Sequence, residues 1–272
     1  MTRWTRLSLL LGLLLVAPPH ALAAQEPESE ESTEAEDPFK AFHDLVEDAE
    51  NVPGFMDLYR TDDKLYLAVP QDMLGEHFLM DYRIARGIGA RGLFGGTTPQ
   101  IFEMDIMALE KRGAKVYLEK QPHRFGAAGD ERAARAVELT LGPSVVQSAD
   151  IAAHRPDSAA VLDVTGWFVG DFMGAADQVG QALSPPGQRG TASFDASRSY
   201  LEAVKGFEDN VSVRSRLTFR PGQPTGLSSV PDGRYVSISM HFTMARLPER
   251  PMTPRWGDER VGNFWTVHKD FS

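Results

Sequence analysis

The stretch Q-I-F-E-M-D-I-M-A, residues 100–108, decides the fold class of this chain. Its side chains alternate between two sets, namely Ile101, Glu103, Asp105 and Met107 against Phe102, Met104, Ile106 and Ala108. Successive side chains of a β-strand point to opposite faces of a sheet, so this period of two predicts a strand. The turn K-R-G, residues 111–113, then predicts a hairpin to a second strand over residues 115–119.

Further short segments of the same kind lie on both sides of this hairpin. They cover residues 55–60, 65–69, 76–85, 145–153, 160–164, 211–219 and 234–244. Strands that follow one another through short turns, without regularly alternating helices, favour antiparallel pairing. The sequence therefore predicts an α+β fold that is rich in β-structure, with a mainly antiparallel sheet and a few packed helices.

Three segments predict helices. The first begins at Asp37-Pro38, because aspartate is a good N-cap and proline is tolerated at the first helical position. Its apolar residues recur at helical spacing, and they are Phe39, Phe42, Leu45, Val46 and Ala49. Residues 171–183 and 199–205 predict two more helices. Residues 130–141 remain open, since their alanines favour a helix and their last five residues alternate like a strand.

Composition excludes several classes of function. The 272 residues carry a net charge of −10, so the chain lacks the basic excess with which proteins bind nucleic acid. It has no cysteine, which excludes disulfides, thiolate zinc sites and a cysteine nucleophile. Any metal site would need histidine and carboxylate ligands.

The N-terminus predicts export. Arg3 and Arg6 precede an apolar run over residues 7–16, and A-L-A at residues 21–23 fits a cleavage site. We expect a signal peptide over residues 1–23, cleaved after Ala23, and a periplasmic or secreted protein with no membrane contact afterwards. The alternative is an uncleaved anchor, for which the run is short. Residues 24–37 carry seven carboxylates and predict a disordered acidic leader.

A glycine-rich motif follows the predicted strand 76–85. Residues 87–92, G-I-G-A-R-G, match the dinucleotide fingerprint G-x-G-x-x-G. That fingerprint requires a helix to begin there and to hold a pyrophosphate at its N-terminus. The following residues contain two more glycines and a proline, so a glycine loop between two strands is the favoured interpretation.

No catalytic motif stands out among the polar residues. Zinc hydrolysis requires H-E-x-x-H, yet no two of the seven histidines lie within five residues of each other. His43 and Glu47 share a helix face and are expected to be a solvated pair rather than metal ligands. Ser197 and Ser199, near Asp195, are expected to cap the helix predicted at residues 199–205. A serine hydrolase stays possible only through residues brought together from distant positions.

Two aromatic or proline-rich segments complete the candidates. Trp167-Phe168 follows a predicted strand and is expected to pack in the core, with a binding groove as the alternative. Residues 247–256 contain three prolines, which predicts an extended segment. Its aromatic and charged residues suggest that this segment docks against another surface.

This C-terminal segment resembles a signature of exported bacterial proteins described as zinc-dependent metalloproteases, which carry two N-terminal domains of unknown function. The similar residues are L-P-E at 247–249, P-M at 251–252, P-R at 254–255 and D-E-R-V-G-x-F at 258–264. Weaker similarity extends over residues 55–70, 161–168 and 195–213, so the resemblance covers about residues 39–271.

The resemblance implies a non-catalytic accessory region that supports or restrains a downstream peptidase domain. In such proteins the H-E-x-x-H domain follows the signature, and residues 1–272 contain no such motif. We therefore expect no catalytic residue and no cofactor in this chain, with zinc held only in a downstream domain. The expected partners are that domain or a protein or peptide substrate. Candidate docking residues are Arg255, Trp256, Asp258, Glu259, Arg260 and Phe264.

The predicted organisation has three parts after the leader. Residues 38–75 form a small helix-plus-hairpin domain, residues 76–246 form a larger β-rich domain, and residues 247–272 form a proline-rich connector. The chain is expected to be either the front of a larger protease or a separate protein. In the second case the alternative function is a periplasmic ligand- or peptide-binding module that uses the loop at residues 87–96.

Overall fold

The computed structural model describes residues 37–89, 91–98, 104–127, 129–171, 173–184, 187–253, 260 and 268–271. These residues form fourteen strands and four short α-helices. In chain order the elements are α1 (Lys40–Val46), β1 (Glu50–Val52), β2 (Asp57–Arg60), β3 (Leu65–Val69), β4 (His77–Arg86), β5 (Asp105–Arg112), β6 (Lys115–Lys120), β7 (Phe125–Gly126), α2 (Glu131–Thr140), β8 (Ser144–His154), β9 (Ala160–Asp163), α3 (Thr165–Phe168), α4 (Ala175–Leu183), β10 (Ala192–Phe194), β11 (Tyr200–Phe207), β12 (Asn210–Pro221), β13 (Val236–Arg246) and β14 (Lys269–Asp270). Among the described helices, none has the length and apolar character that crossing a membrane requires.

Twelve of the strands belong to a single sheet. Their order is β1-β2-β3-β9-β8-β6-β5-β4-β13-β12-β10, and β11 also pairs with β12. Neighbouring strands in this sheet are antiparallel. The strands β7 and β14 form a separate parallel pair. The fold is therefore mainly β with few helices, and the predicted mainly antiparallel sheet is confirmed.

The large sheet curls until its two ends meet, which gives a nearly closed barrel. At the seam, β11 lies beside β1 and β2. The backbone N–H of Phe55 donates to the carbonyl of Phe207 at 2.8 Å. Farther along the seam, the Arg60 guanidinium donates to the carbonyl of Leu201 at 3.5 Å. These hydrogen bonds connect the two ends of the sheet.

The main core fills the inside of the curled sheet. Inward positions of β4, β12 and β13 alternate with outward polar ones, as a half-buried strand requires. The inward side chains of these three strands include Phe78, Met80, Ile84, Val211, Val213, Leu217, Phe219, Ile238, Met240, Phe242 and Met244. Burying each of these side chains stabilises the fold by roughly 1.5–3 kcal/mol.

A second, smaller core lies on the outer face of β2, β3, β8 and β9, where α1 covers the sheet. Phe42 of α1 packs edge-on against Tyr59, with ring centroids 5.6 Å apart. All five residues of β3 are buried, because Tyr66 and Ala68 face this outer core while their neighbours face the main core. Phe42, Leu45, Val46 and Ala49 of the predicted apolar stripe pack in this outer core. The helix α1 is shorter than expected, because it begins at Lys40 instead of at Asp37-Pro38 and ends at Val46.

The short helix α3 carries the predicted aromatic pair into the main core. Trp167 and Phe168 are 2% and 1% exposed, so their core packing is confirmed. The indole N–H of Trp167 donates to the carbonyl of Ser148 at 3.3 Å. The ring of Phe168 meets Phe242 edge-on at 5.4 Å. Since a buried indole N–H usually needs an acceptor, this arrangement satisfies Trp167 without solvent.

The strand predicted from residues 100–108 is present as β5 from Asp105 onward, and residues 100–103 lie outside the described residues. The side that carries Asp105 and Met107 faces inward, with Met107 in the main core. Burial of the Asp105 carboxylate is compensated by Lys120, whose Nζ lies 2.6 Å from Asp105 Oδ1. The hydroxyl of Tyr82 also donates to this carboxylate, at 3.3 Å.

The helix predicted at residues 199–205 is wrong, because this segment is the strand β11. Its leucine, alanine and lysine are good helix formers, but intrinsic propensity is small in energy and pairing with β12 outweighs it. A bulge between Leu201 and Ala203 interrupts the register. After the bulge, Val204 pairs with Val213 and packs against the main core.

Two other segments also differ from the expectation or settle it. Residues 130–141, left open by the sequence, contain the helix α2. The side chain of Asp130 accepts from the N–H groups of Arg132 and Ala133, at 2.8 and 3.2 Å, and so caps this helix. The helix predicted at residues 171–183 is confirmed from Ala175 onward as α4. The short strands β1, β7, β10 and β14 lie outside the predicted strands.

Residues 38–75 and 76–246, predicted as two domains, both contribute strands to the twelve-stranded sheet. Their division stays a prediction. The signal peptide predicted over residues 1–23 lies outside the described residues, and so does the leader predicted over residues 24–37 except for Asp37.

The seam of the sheet depends on two glycines. A Cβ built on Gly206 would lie 1.9 Å from the carbonyl oxygen of Pro53, and one on Gly54 would lie 3.0 Å from the Gly206 Cα. We expect Gly206→Ala to lower the free energy of unfolding by about 1–3 kcal/mol, as overpacking does elsewhere, measured by denaturant titration.

Gly142→Ala is the matched control. A Cβ at Gly142 meets no atom within 4 Å, and this loop position needs no left-handed backbone. An equal loss of stability in both variants would contradict the steric origin assigned to the effect at Gly206.

Candidate functional site

The glycine loop predicted at residues 87–96 connects β4 to β5 and folds back onto β4. The N–H of Ile88 donates to the carbonyl of Leu93 at 3.0 Å. At the base of the loop, Gly96 N–H donates to the Ile84 carbonyl at 2.7 Å, and Ile84 N–H donates to the Thr97 carbonyl at 2.8 Å. Leu93 is buried, whereas Phe94 is largely exposed.

The geometry of the loop accounts for its glycines. Gly89, Gly92 and Gly96 have φ values of +67°, +80° and +88°, a region that favours glycine. At Gly87, a Cβ would meet the carbonyl oxygen of Leu93 at 2.0 Å. No helix begins within the described residues of this loop, so the G-x-G-x-x-G match lacks the helix N-terminus that holds a pyrophosphate.

Arg91 of this loop forms one side of an open cleft of about 710 Å³. A second side is formed by the end of α4 and the connection to β10, and a third by the connection from β12 to β13. The polar side chains that line it include Arg91, Ser184, Gln188, Arg189, Gln223 and Thr225. Arg91 Nη1 lies 3.5 Å from the carbonyl of Ser184 and so connects the loop to the second side.

Close backbone contacts fix the two remaining sides of the cleft against each other. The N–H of Gly222 donates to the carbonyl of Thr191 at 2.7 Å. A Cβ on Gly222 would lie 2.6 Å from Thr191 Oγ1, and one on Gly190 would lie 1.7 Å from Ser184 Oγ. The hydroxyl of Ser184 donates to the Gly180 carbonyl at 2.8 Å. Small residues at these positions therefore shape the cleft.

A separate charged cluster surrounds Asp195, which precedes β11. Its buried carboxylate accepts from Ser197 Oγ at 2.6 Å, Arg220 Nε at 2.7 Å and Arg198 Nη1 at 2.9 Å. These hydrogen bonds lower the pKa of Asp195 to about 2, and the one from Ser197 has the largest effect. The Arg198 guanidinium also lies over the Tyr235 ring, 4.5 Å from its centroid. The cluster ties the start of β11 to β12 and the connection after it.

The roles predicted for the two serines are corrected by this cluster. Ser197 and Ser199 do not cap a helix, since β11 follows them. The hydroxyl of Ser199 donates to the backbone carbonyl of Asp195 at 2.8 Å and accepts from the N–H of Thr218 at 3.0 Å. Both serines therefore stabilise the turn that leads into the strand.

The structure brings together one serine and one histidine that the sequence keeps 29 residues apart. Ser212 Oγ and His241 Nε2 lie 2.5 Å apart on the adjacent strands β12 and β13. Burial of the imidazole lowers the pKa of His241, and the positive charge of Arg214 lowers it further. The negative charge of Asp81 opposes this shift. Ser212 lies in a strand paired on both sides, with Lys205 and with Thr243. The backbone N–H groups around Ser212 take part in the sheet, so they are not free to form an oxyanion hole beside the pair.

The solvated pair predicted between His43 and Glu47 is replaced by a different pair. His43 Nδ1 lies 2.7 Å from Asp37 Oδ2, so His43 pairs with Asp37 instead of Glu47. Both side chains are largely exposed. In the part of the chain that the structure describes, no group of three or more histidines and carboxylates could hold a metal ion.

The predicted docking residues lie almost entirely outside the described residues. These are Arg255, Trp256, Asp258, Glu259 and Phe264, and only Arg260 is described, as an exposed residue. Residues 247–253, which lead into this segment, contain neither helix nor strand. Arg246, at the end of β13, lies over the Phe55 ring at 4.9 Å from its centroid, so the start of the segment is fixed to the seam.

Comparison with known proteins finds two families. The family model described as Domain of unknown function (DUF5117) matches residues 100–272. The model described as Domain of unknown function (DUF5118) matches residues 39–87. No curated protein matches this chain significantly, and neither does any solved structure.

His241 makes stability depend on pH. Its folded pKa lies below the unfolded value of 6.5, so the unfolded chain binds more protons between the two values. The contribution of neutral His241 to the free energy of unfolding is fully present above the unfolded pKa. It is lost as the pH falls from the unfolded pKa through the folded pKa. We expect His241→Gln to reduce the decline in the free energy of unfolding between about pH 8 and about pH 5.

His154→Gln on β8, an exposed histidine, is the control and should keep the wild-type decline. Denaturant titrations across the pH range provide the measurement. A His241→Gln variant with an unchanged decline would refute this assignment.

Asp195→Asn should lower the thermal midpoint at neutral pH, because two arginines then surround a neutral amide. The carboxylate stabilises the fold above its unfolded pKa of 3.8, and this stabilisation is lost as the pH falls toward the folded value of about 2. The difference in thermal midpoint between the wild type and Asp195→Asn should therefore become smaller as the pH falls toward the folded pKa.

Asp232→Asn provides the comparison. Asp232 also has a pKa of about 2 through Arg234, but its side chain is 44% exposed and solvent screens the pair. Scanning calorimetry should show the smaller shift at Asp232. Equal shifts would mean that burial of Asp195 is irrelevant.

Proposed function

The chain belongs to the DUF5117 family, and from this premise we propose that it is a non-catalytic N-terminal accessory region of an exported zinc-dependent metalloprotease. In this role it would support or restrain a downstream peptidase domain. The observation that carries the proposal is the C-terminal signature at residues 247–264, which resembles that of such proteases and lies within the DUF5117 match.

The domain content agrees with this proposal. The proteases that the sequence resembles carry two N-terminal domains of unknown function. This chain also contains two such segments, matched by DUF5118 and then DUF5117. The agreement in number supports an accessory role, and the link to zinc proteases itself rests on the sequence resemblance.

The geometry of the described residues suits a structural or binding role. The sheet is nearly closed around a continuous apolar core, and the buried Asp195 is neutralised by two arginines. The strand β13, between β4 and β12, leads directly into the signature segment. After this segment the chain forms β14, which pairs with β7, so a domain that follows would be attached next to this separate strand pair.

The remaining parts of the proposal follow from the sequence. We place the mature chain in the periplasm or outside the cell, after cleavage of the signal peptide. It would need no cofactor of its own, and zinc would be held by the peptidase domain. Its partners would be that domain or a protein or peptide substrate.

We expect purified residues 24–272 to leave a peptide library intact in the presence of zinc, as measured by mass spectrometry. Thermolysin would serve as the positive control. Cleavage that requires zinc and is abolished by a chelator would refute the non-catalytic assignment.

A second candidate function is a stand-alone periplasmic binding module, and the position of Arg91 at the cleft favours it. Immunoblotting of the source cells with an antibody against residues 38–272 separates the two. A band well above the 30.0 kDa of this chain supports the accessory region. A band slightly below it, after loss of the signal peptide, supports the module.

A further inference from the structure

We infer that the cleft beside Arg91 binds a carboxylate carried on an apolar body, such as a small organic acid or the C-terminal end of a peptide. This inference concerns what the cleft holds and is independent of whether the chain serves a peptidase. It starts from the charges of the lining residues. Arg91 and Arg189 both line the cleft, and none of the lining residues that the structure describes is acidic.

This positive lining contrasts with the rest of the molecule. The chain as a whole carries a net charge of −10. Many arginines elsewhere on the described surface are paired with carboxylates, including Arg155 with Asp57 and Arg214 with Glu202. A concave site lined by charges of one sign focuses the local field and attracts the opposite ion. The cleft would therefore draw anions to an otherwise acidic protein.

The hydrogen-bonding capacity of the cleft also fits an anion. Among the described residues, Arg91 donates one hydrogen bond, to the Ser184 carbonyl at 3.5 Å, although a guanidinium has five N–H donors. Guanidinium groups bind carboxylates through paired hydrogen bonds, which are stronger than neutral ones. The amides of Gln188 and Gln223 add neutral donors to the same space.

The remaining lining argues for an apolar body on the ligand. Leu183 and Leu227 contribute aliphatic side chains to the cleft, together with Pro221 and Pro224. Its volume of about 710 Å³ lies within the range of roughly 300–1,000 Å³ that is typical of sites for small ligands. A bare inorganic anion would leave these apolar walls uncovered.

Two different segments of the chain bring the two arginines to the cleft. Arg91 has a φ of +55°, a conformation that L-residues rarely adopt. It lies between Gly89 and Gly92, both with positive φ, so the loop keeps it in this place. Arg189 comes from the connection between α4 and β10, next to Gly190. Such strained positions cluster at binding sites, which supports a functional role for Arg91.

The test is calorimetric titration of the purified chain with two probes that share the carboxylate. One is N-acetyl-leucyl-leucine, and the other is 4-methylpentanoate. Saturable binding of either probe is expected, and the tighter one identifies a peptide end or a free acid as the source. The carboxamide of the peptide should bind at least about tenfold weaker, since it loses the charge-assisted hydrogen bonds.

The double variant Arg91→Gln with Arg189→Gln should weaken binding of the better probe at least about tenfold. Arg132→Gln on the exposed helix α2 is the matched control and should bind like the wild type. Both variants are first compared with the wild type by thermal unfolding, so that loss of binding is not loss of folding. The salt dependence of binding should be steeper for the wild type than for the double variant.

Three results would overturn the inference. These are no saturable binding of either carboxylate, equal binding of the carboxamide, or full binding by the double variant. Competition by inorganic phosphate at equal affinity would also overturn it, because a phosphate site does not need the apolar walls. Each of these results leaves the accessory role untouched, since digestion and immunoblotting test that separately.

Discussion

The long antiparallel ladder between β12 and β13 positions most other parts of the molecule. Ten consecutive residue pairs join these strands, from Asn210 with Ala245 to Phe219 with Val236. Their inward side chains form much of the main core, and their outward side chains include Ser212 and His241. The connection between the strands forms one side of the cleft, and β13 leads into the C-terminal signature at the opposite end of the ladder.

Much of the sheet could be predicted from alternation alone, because strands such as β4, β12 and β13 are polar on one face and apolar on the other. The strand β11 could not, since its residues favour a helix locally and only the partner strand β12 decides the outcome. Helix α2 is likewise decided by particular contacts. The Asp130 side chain accepts two backbone hydrogen bonds at the start of the helix, and the residue pattern alone does not reveal them.

The candidate site was accessible to sequence reasoning only in part. The glycine loop was recognised, because its residues are consecutive. Its place in the cleft could not be predicted, because Arg91, Arg189 and Gln223 are distant in the sequence and line the same space only in the folded chain. The Ser212–His241 pair gave no local signal for the same reason. Sites assembled from distant positions require the register of the sheet, and one-residue errors in register place side chains on the opposite face.

The pairing of β3 with β9 has a consequence for how this chain can be divided. Strand β3 lies in the segment matched by DUF5118, and β9 lies in the segment matched by DUF5117. Strand β4 of the first segment is likewise enclosed by β5 and β13 of the second. Separating the segments would break three strand pairings, which exposes edges of β3, β4, β5, β9 and β13, and it would also expose the apolar residues on both faces of β3. The two matched segments thus contribute interleaved strands to one sheet, and each supplies hydrogen-bonding partners that the other needs.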